Sequence, residues 1–578
     1  MKIVGVLCAF LLMVTFVSAQ GFLRANGEKV VDENNKEVVL QSINFGNWMV
    51  MEGYMMRTED VAPTQHAFKA KTIALIGEAN TKQFYDAWLR NQITEADIDS
   101  IKNWGFNSVR LPIHYEYFTA QKGKGQPIGY TVLDNVIKWC AAAKIYVVID
   151  LHAAPGGQGK DSNISDYDTT KPSLWESEAN KQATIDLWVN LAKRYANQPY
   201  VAAYDIINEP NWSFAGKHPH GCDETLNIPL KELMTRITQA IRTIDKKHIV
   251  MVEGNCWGNN YKNIFPLWDN NMVVSFHKYW SNNDAATIQY ILDIRKQYNV
   301  PIWCGETGEN SNHHFTTTRE LFDSLNIGFA WWPMKKFDNI TCFANLTFPD
   351  GYKDITDYWR GKGPKPSKET AFKTLMQLAE NVKIQHAKIN KDVWYHLFQQ
   401  QGNRNTMAFT QHSVPGVVQA VDYDLGMDGF AYADDDFEDR RVSTGKNTSW
   451  NIGRQYRNDG VDIIKCTDAS TKGFCVNKIN KGEWVQYTID AAQAGDYEIS
   501  LSVSNGDKEV GELKILNGNE VLSTVDIPTT GDWKKFSTIK TNVRLQKGTQ
   551  QLRIFCASPH YNFASMNFSL KSNTVYNR

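Results

Sequence analysis

The amino-acid sequence predicts an α/β fold, a (β/α)8 barrel, followed by an all-β sandwich of jelly-roll type. Two observations carry this. Short β-branched apolar runs at 38–44, 108–112, 146–150, 202–208, 249–252, 273–276, 301–304 and 327–332 alternate with longer helical patterns at 94–104, 133–142, 181–195 and 230–244. Strands alternating with helices imply a parallel sheet, and a run of eight such units implies a closed barrel with insertions. Beyond position 416 the helical periodicity ends. Short alternating runs at 483–489, 496–503, 512–516 and 551–555 are spaced there by Gly, Asn and Asp, the texture of a sandwich. A doubly wound open sheet is the alternative for the first part, but no glycine-rich phosphate loop follows the first strand.

The N-terminus begins with Lys2, an almost wholly apolar stretch at 3–17 and the small-residue pattern Val17-Ser18-Ala19. This is the form of a secretory signal peptide, and the stretch is too short to span a bilayer. The expected organisation is a signal peptide at 1–19, the barrel at 20–390, a Gln- and Asn-rich connector at 391–415 and the sandwich at 416–572. A secreted, extracellular protein with no membrane anchor follows, and a monomer is expected.

Basic and acidic residues nearly cancel, 62 against 63, which argues against a nucleic-acid partner. Aromatic content is high, with 18 Trp, 24 Tyr and 27 Phe. Part of this is core, but flat rings also stack on the apolar C–H faces of sugars. Nine cysteines less Cys8 leave eight in the mature chain. Cys466 with Cys475 is the first expectation for a disulfide and Cys222 with Cys256 the second. Neither group has zinc-ligand spacing, so no metal is expected at the active site and no cofactor for catalysis. Sequons start at Asn163, Asn211, Asn339, Asn345, Asn447 and Asn567. The acidic run 434–439 reads as a solvated loop, with structural calcium in the C-terminal domain as the other reading.

In a (β/α)8 barrel the chemistry sits where strands end at the C-terminal face. Strand four ends Asp205-Ile-Ile-Asn208-Glu209-Pro210 and strand seven ends Ile302-Trp-Cys-Gly-Glu306. Strand two ends with Arg110 and His114, strand three with Asp150 and His152, strand six with His277 and Tyr279, and strand eight with Trp331-Trp332. Two carboxylates at such positions meet the requirement for glycoside hydrolysis, one acid to protonate the leaving oxygen and one anion to attack. Taken singly either glutamate would read as a surface ion pair; together at strand ends they read as catalytic.

Asn208-Glu209-Pro210 followed by Gly305-Glu306 resembles glycoside hydrolase family 5. Asn44-Phe-Gly-Asn-Trp48-Met-Val-Met-Glu52-Gly, Asn107-Ser-Val-Arg110-Leu-Pro-Ile and Ile149-Asp-Leu-His152-Ala-Ala-Pro-Gly-Gly-Gln158 are similar to its exo-β-1,3-glucanase branch. The resemblance covers most of residues 40–340. It implies Glu209 as acid/base and Glu306 as nucleophile of a retaining double displacement. It also implies that Arg110 keeps Glu306 ionised by lowering its pKa and that Asn208 holds the sugar 2-hydroxyl. His277 and Tyr279 would flank the carboxylates, His152 would line the pocket and Trp332 would stack beneath the sugar. Glu253 could face the cleft, Glu309 would orient a loop and Asp150 would be a structural hydrogen-bonder. Departures from the branch at Asn47, in 304–310 and in 329–335 bear on the linkage: β-1,3-glucan is the first expectation, with β-1,4- or β-1,6-linked glucans and mannan as the alternatives.

The C-terminal part resembles a family 6 carbohydrate-binding module through Gln419-Ala420, Tyr456-Arg-Asn-Asp-Gly-Val-Asp462, Gly482-Glu-Trp484-Val-Gln-Tyr487 and Gly531-Asp-Trp533. The resemblance implies a sugar site at Phe474 and Trp533 with Asn562 as hydrogen-bond partner. The expected partner of the whole chain is a polysaccharide or oligosaccharide. Three functions from different classes fit: a hydrolase, a transglycosylase, and a non-catalytic sugar-binding protein that kept the barrel. The segments 52–89 and 212–226 are expected to be loops long enough to close one end of a cleft, favouring an exo-acting pocket.

Overall fold

A computed structural model describes residues 21–120, 125–400, 402, 404–435, 437, 450–559 and 561–571. The proposed signal peptide and Asn447 lie outside these residues. Eight parallel strands close into a barrel, taken here as β1 (Gln41–Asn44), β2 (Ser108–His114), β3 (Tyr146–Ala153), β4 (Val201–Asp205), β5 (Ile249–Glu253), β6 (Met272–His277), β7 (Ile302–Gly308) and β8 (Gly328–Trp332). Each strand pairs with the next, and β8 closes on β1 through Phe329–Gln41 and Trp331–Ile43. Of the barrel's register shifts, those at Ile113/His114 and Phe276/His277 fall at the C-terminal ends of β2 and β6, where they re-aim side chains toward the open face.

The opposite end is sealed. Leu23, Leu40, Tyr146, Val148, Ala203, Met251, Val273, Trp303 and Ala330 form one buried cluster. The N-terminal hairpin Arg24–Asn26 with Lys29–Val31 lies there, and Ala25 N–H donates to Asn271 Oδ1 at 2.8 Å. With that end packed, the C-terminal face is where a ligand can enter. Outside the strands, helices bury one face each. In helix Glu95–Trp104, Thr94 and Asp97 form a reciprocal N-terminal cap, and Gly105 at φ 104° ends it in the left-handed region.

Several expectations are revised. The 52–89 segment is not a long loop: it folds into helices Gln65–Ile76 and Glu78–Asn91, because Phe68, Leu75, Phe84, Trp88 and Leu89 recur at helical spacing and are buried. The 391–415 segment is not a simple connector. It opens with helix Lys391–Phe398, whose Val393 and Leu397 join the barrel core, and closes with sandwich strand His412–Val414.

The sandwich has two sheets. One runs His412–Val414, Trp484–Ala491, Gly548–Ser558, Gly511–Asn517, Glu520–Ile527; the other runs Ile463–Lys465, Phe474–Ile479, Tyr561–Leu570, Gly495–Ser504, Ser537–Leu545. Alternating residues such as Ile499, Leu501, Val503, Leu513 and Ile515 fill the core between them. The disulfide order is also reversed. Cys222 and Cys256 are bonded, whereas Cys466 and Cys475 are free thiols in hydrogen-bond contact. Cys475 sits opposite Ile464 in the antiparallel register, so Cys466 meets it diagonally rather than face to face. Among the described residues, no helix is long and apolar enough to cross a membrane.

Candidate active site

The barrel floor is organised by Arg110, fully buried on β2. Its Nη1 donates to Glu306 Oε1 at 2.6 Å; its Nε and Nη2 both donate to Asp205 Oδ2 at 3.0 and 2.8 Å. Nη2 also donates to Asn208 Oδ1 at 2.8 Å and Glu253 Oε1 at 3.1 Å, and Nη1 lies 3.2 Å from Asp150 Oδ2. One guanidinium thus ties β3, β4, β5 and β7 together, which a rigid planar fork can do and a point charge cannot. Burial works against its charge, but the surrounding carboxylates outweigh it and hold Arg110 protonated. Burial pushes Asp150 and Asp205 well above the usual carboxylate range despite the pull of Arg110.

Glu209 and Glu306 face each other above this floor. Each has a carboxylate oxygen within 4.8 Å of the other and of a ring nitrogen of His277. His277 Nδ1 contacts Glu209 Oε1 at 2.6 Å and lies 3.8 Å from Glu306 Oε2, while its Nε2 lies 3.2 Å from Glu253 Oε1. Burial disfavours an imidazolium, but Glu253, Glu306 and Glu209 together raise His277 well above its ordinary value. Nδ1 of His277 and Oε1 of Glu209 thus share one hydrogen bond, in which either group can carry the proton. Tyr279 donates to Glu306 Oε2 at 3.3 Å. Glu209 has φ 42°, a left-handed backbone that a non-glycine residue adopts at some cost. Its N–H is held by Glu253 Oε2 at 2.7 Å, and that bond offsets the strain. Glu209, His277 and Glu306 together offer three potential ligand atoms within 4.8 Å of one another.

Arg110 bonds Glu306 and pulls its carboxyl down, as expected, but a larger effect opposes it. Burial pushes its carboxyl up, and His277 and Arg110 pull it back without cancelling that push, so the group lies above the ordinary glutamate range. Desolvation outweighs the ion pairs because the side chain is almost wholly enclosed.

These carboxylates open on a cleft of about 810 Å³ lined also by Glu52, Tyr54, His152, Trp257, Tyr279, Trp280, Tyr290, Glu309 and Trp332. On one side Trp332 stacks on His152, centroids 5.4 Å apart and planes within 5°. His152 Nδ1 bonds Asp150 Oδ2 at 2.8 Å, and burial pushes the imidazole down to about 4, leaving it neutral. Trp332 Nε1 donates to Tyr54 Oη at 3.0 Å, and Tyr54 donates to Glu309 Oε2 at 3.3 Å. Lys336 pairs with Glu309 and lies over the Tyr54 ring at 4.4 Å. Glu52 is buried with Oε1 unpartnered by any hydrogen bond. Burial, with Glu306, Glu309 and Glu209 nearby, pushes its carboxyl well above the ordinary carboxylate range. The other side is aromatic: Trp280 is 44% exposed and Tyr290 37%. Trp257 stacks on His220 at 4.5 Å beside the Cys222–Cys256 bond.

Every barrel residue expected at the site is brought to it. Asn208 is buried, with Nδ2 unpartnered. His114, weighed for the site, instead pairs with Asp166 Oδ2 at 2.9 Å. Glu253 lies beneath the carboxylates rather than facing the cleft. Asp205, Glu52, Tyr54, Trp257 and Trp280 were missed. Asp205 stood inside the strand-four motif and Glu52 inside the segment that follows strand one, signals that could have found them; Trp257 and Trp280 carry none, since their places depend on loop conformation. Asn47 has φ 64°, a left-handed conformation that asparagine, after glycine, adopts most readily.

In the sandwich two of the three expected residues, Trp533 and Asn562, are in contact. Trp533 is 40% exposed, and its carbonyl accepts from Asn562 Nδ2 at 3.2 Å. Phe474 packs instead against Tyr456 and the sandwich core, ring centroids 5.2 Å apart. Asp434, Asp435 and Glu483 bring carboxylate oxygens within 4.8 Å of one another; Asp436, Glu438 and Asp439 of the acidic run lie outside the described residues.

A closed barrel thus brings the strand-four and strand-seven glutamates together over a buried arginine at its C-terminal face. Residues 66–338 match Cellulase (glycosyl hydrolase family 5), and residues 454–570 match Carbohydrate binding module (family 6). The chain carries a glycosyl hydrolase family 5 domain followed by a family 6 carbohydrate-binding module. A β-xylosidase of Phanerodontia chrysosporium is 30% identical over 263 residues, 45% of this chain and 52% of that protein. Endoglucanase C of Acetivibrio thermocellus is 29% identical over 203 residues, 34% of this chain and 52% of that one. A probable glucan 1,3-β-glucosidase A of Aspergillus clavatus is 27% identical over 264 residues, 45% of this chain and 61% of that one. The chain thus spans about half the length of the curated relatives it matches.

Proposed function

We propose that the protein is a secreted retaining glycoside hydrolase that cleaves β-glucosidic bonds of a polysaccharide, with β-1,3-glucan as first substrate. The observation that carries this is the approach of the Glu209 and Glu306 carboxylates to within 4.8 Å. Retaining enzymes hold their two carboxyl groups about 5–5.5 Å apart, whereas inverting ones leave about 6.5–9.5 Å for a water.

In this reading Glu306 attacks the anomeric carbon as the glycosidic C–O bond breaks, and Glu209 gives its proton to the departing oxygen. Water then enters; Glu209 takes a proton from it, and the hydroxyl displaces Glu306 from the sugar. Tyr279 and Arg110 hold Glu306 in line, and Asn208 offers Nδ2 to the 2-hydroxyl, a bond that strengthens as the oxocarbenium-like state forms. Trp332 is the stacking platform. Glu52, its carboxyl raised by burial, bonds a hydroxyl of the same sugar.

The relatives' names divide among a β-xylosidase, endoglucanases and glucan 1,3-β-glucosidases, so the substrate choice rests on the strand-one and strand-three resemblance. The wall of Tyr54, Glu309, Lys336 and Trp332 supports an exo-acting pocket. The exposed Trp280 and Tyr290 opposite favour a second reading, transglycosylation, because aromatic faces retain a sugar acceptor. Sugar release from laminarin, pustulan, lichenan, a soluble cellulose derivative and mannan tests the proposal beside Glu306→Gln. Release from laminarin that vanishes in the variant supports it, and wild-type release that persists in the variant refutes the assigned nucleophile. Longer products on adding acceptor oligosaccharides would favour transfer over hydrolysis.

A further inference from the structure

The sandwich is docked on the barrel at the segment that leaves strand β7, three residues beyond Glu306. Asn458 of the sandwich is fully buried and inserted there. Its carbonyl accepts from Asn312 N–H at 2.9 Å, and its Nδ2 donates to Asn310 O at 2.8 Å and Asn312 Oδ1 at 3.0 Å. Its own N–H donates to Asp392 Oδ2 at 2.7 Å, and Trp450 Nε1 donates to its Oδ1 at 3.0 Å. Asp392, on helix Lys391–Phe398, accepts from Asn312 Nδ2 as well, at 2.9 Å. Both backbone groups and both side-chain atoms of Asn458 are thus satisfied, four of its five bonds reaching barrel residues.

These contacts are aimed at a functional segment. Glu309 immediately precedes Asn310, sits at φ 50°, and holds Tyr54, which in turn receives the Trp332 indole N–H. A left-handed glutamate persists where its neighbours leave the backbone no other course. The bonds from Asn458 to Asn310 and Asn312 supply that constraint on one side, and Lys336 supplies it on the other.

We propose that the sandwich is a fixed part of the catalytic cleft, and that Asn458 is a positioning residue acting through Glu309 and Tyr54 on the Trp332 sugar platform. This rests on the reading of the cleft as a glycosidase site, but the docking itself does not. The sandwich would then serve substrates too short to touch it, which a module that only tethers polymer would not do.

The test uses the full chain. In hydrogen–deuterium exchange, Asn458→Ala should speed exchange at 309–314 and propagate to 52–56. Exchange changed only at 388–396 and 450–462 would overturn the proposal, whether or not any substrate is cleaved. On laminaritriose, Asn458→Ala should raise KM about tenfold, as loss of hydrogen bonds of ordinary strength implies, with kcat within about threefold of wild type. Glu309→Gln should show the same split, and the double variant should be no worse than either single one, the sign of a shared path. Wild-type KM in Asn458→Ala, or additive losses in the double variant, would overturn it. Asp392→Asn keeps shape while weakening the acceptor; it should show the same exchange pattern at smaller amplitude, and it decides the matter if Asn458→Ala does not fold.

Discussion

Arg110→Lys separates electrostatic positioning from simple charge. The substitution keeps one positive charge in the barrel floor but replaces a planar fork with an ammonium that has three donors and no fixed plane. Arg110 serves Glu306, Asp205, Asn208, Glu253 and Asp150 at once. A lysine reaching Glu306 would abandon Asn208 and at least part of the Asp205–Glu253 anchoring. Hydrogen bonds to charged groups contribute about 1.5–3 kcal/mol each, and leaving a buried partner unsatisfied adds to the loss. With the Asn208 bond serving the transition state, a barrier increase of about 3–4 kcal/mol follows, or roughly 10²–10³ in kcat. Because the lost contacts orient reacting groups, KM should change by less than kcat. The assay is initial-rate kinetics on a soluble β-1,3-glucan oligosaccharide, with circular dichroism and thermal unfolding to confirm a folded barrel. A folded Arg110→Lys variant with kcat within about threefold of wild type would refute the claim that fork geometry, rather than charge, organises the site.

Other outcomes follow from the same geometry. In the proposed mechanism Glu306 must be ionised to attack, and its carboxyl is raised by burial; activity should therefore fall on acidification at a pH above that of an ordinary glutamate, and a kcat/KM profile flat down to pH 4.5 would contradict this. Arg110→Met should move the same acid limb further upward, since the positive charge favouring the anion is gone. Cys222→Ser removes a cross-link between positions 34 apart and should cost roughly 3–4 kcal/mol by loop-closure entropy, read by denaturant unfolding, while weakening long-oligosaccharide binding beside Trp257. Trp533→Ala should reduce retention on an insoluble glucan without lowering the melting temperature, whereas Phe474→Ala, a packed side chain, should lower the melting temperature; pull-down and calorimetry distinguish the two.

Much of this molecule is legible without coordinates. The eight strand runs carry their own β-branched, apolar signature, and each lies within a few residues of an observed strand. Asn208-Glu209-Pro210 and Gly305-Glu306 stand where β4 and β7 end, because barrel topology delivers every strand end to one face. Strand ends therefore convert linear position into spatial convergence, and Arg110, His152, His277, Tyr279 and Trp332 could be assembled from their places alone. What required tertiary structure was everything set by long-range balance. The upward displacement of Glu306 depends on how completely its surroundings exclude water, which no local motif encodes. Glu52 reads as an ordinary acid until its burial beside Glu306 is known. The bonding of Cys222 to Cys256, against the sequence-adjacent pair Cys466 and Cys475, was decided by the loops that bring Trp212 and Asn255 together. Asn458 is one asparagine among many in the chain. Its role arises because two separately folded cores meet over Asn310, Asn312 and Asp392, and the register of that meeting is a property of surfaces, not of any segment of sequence.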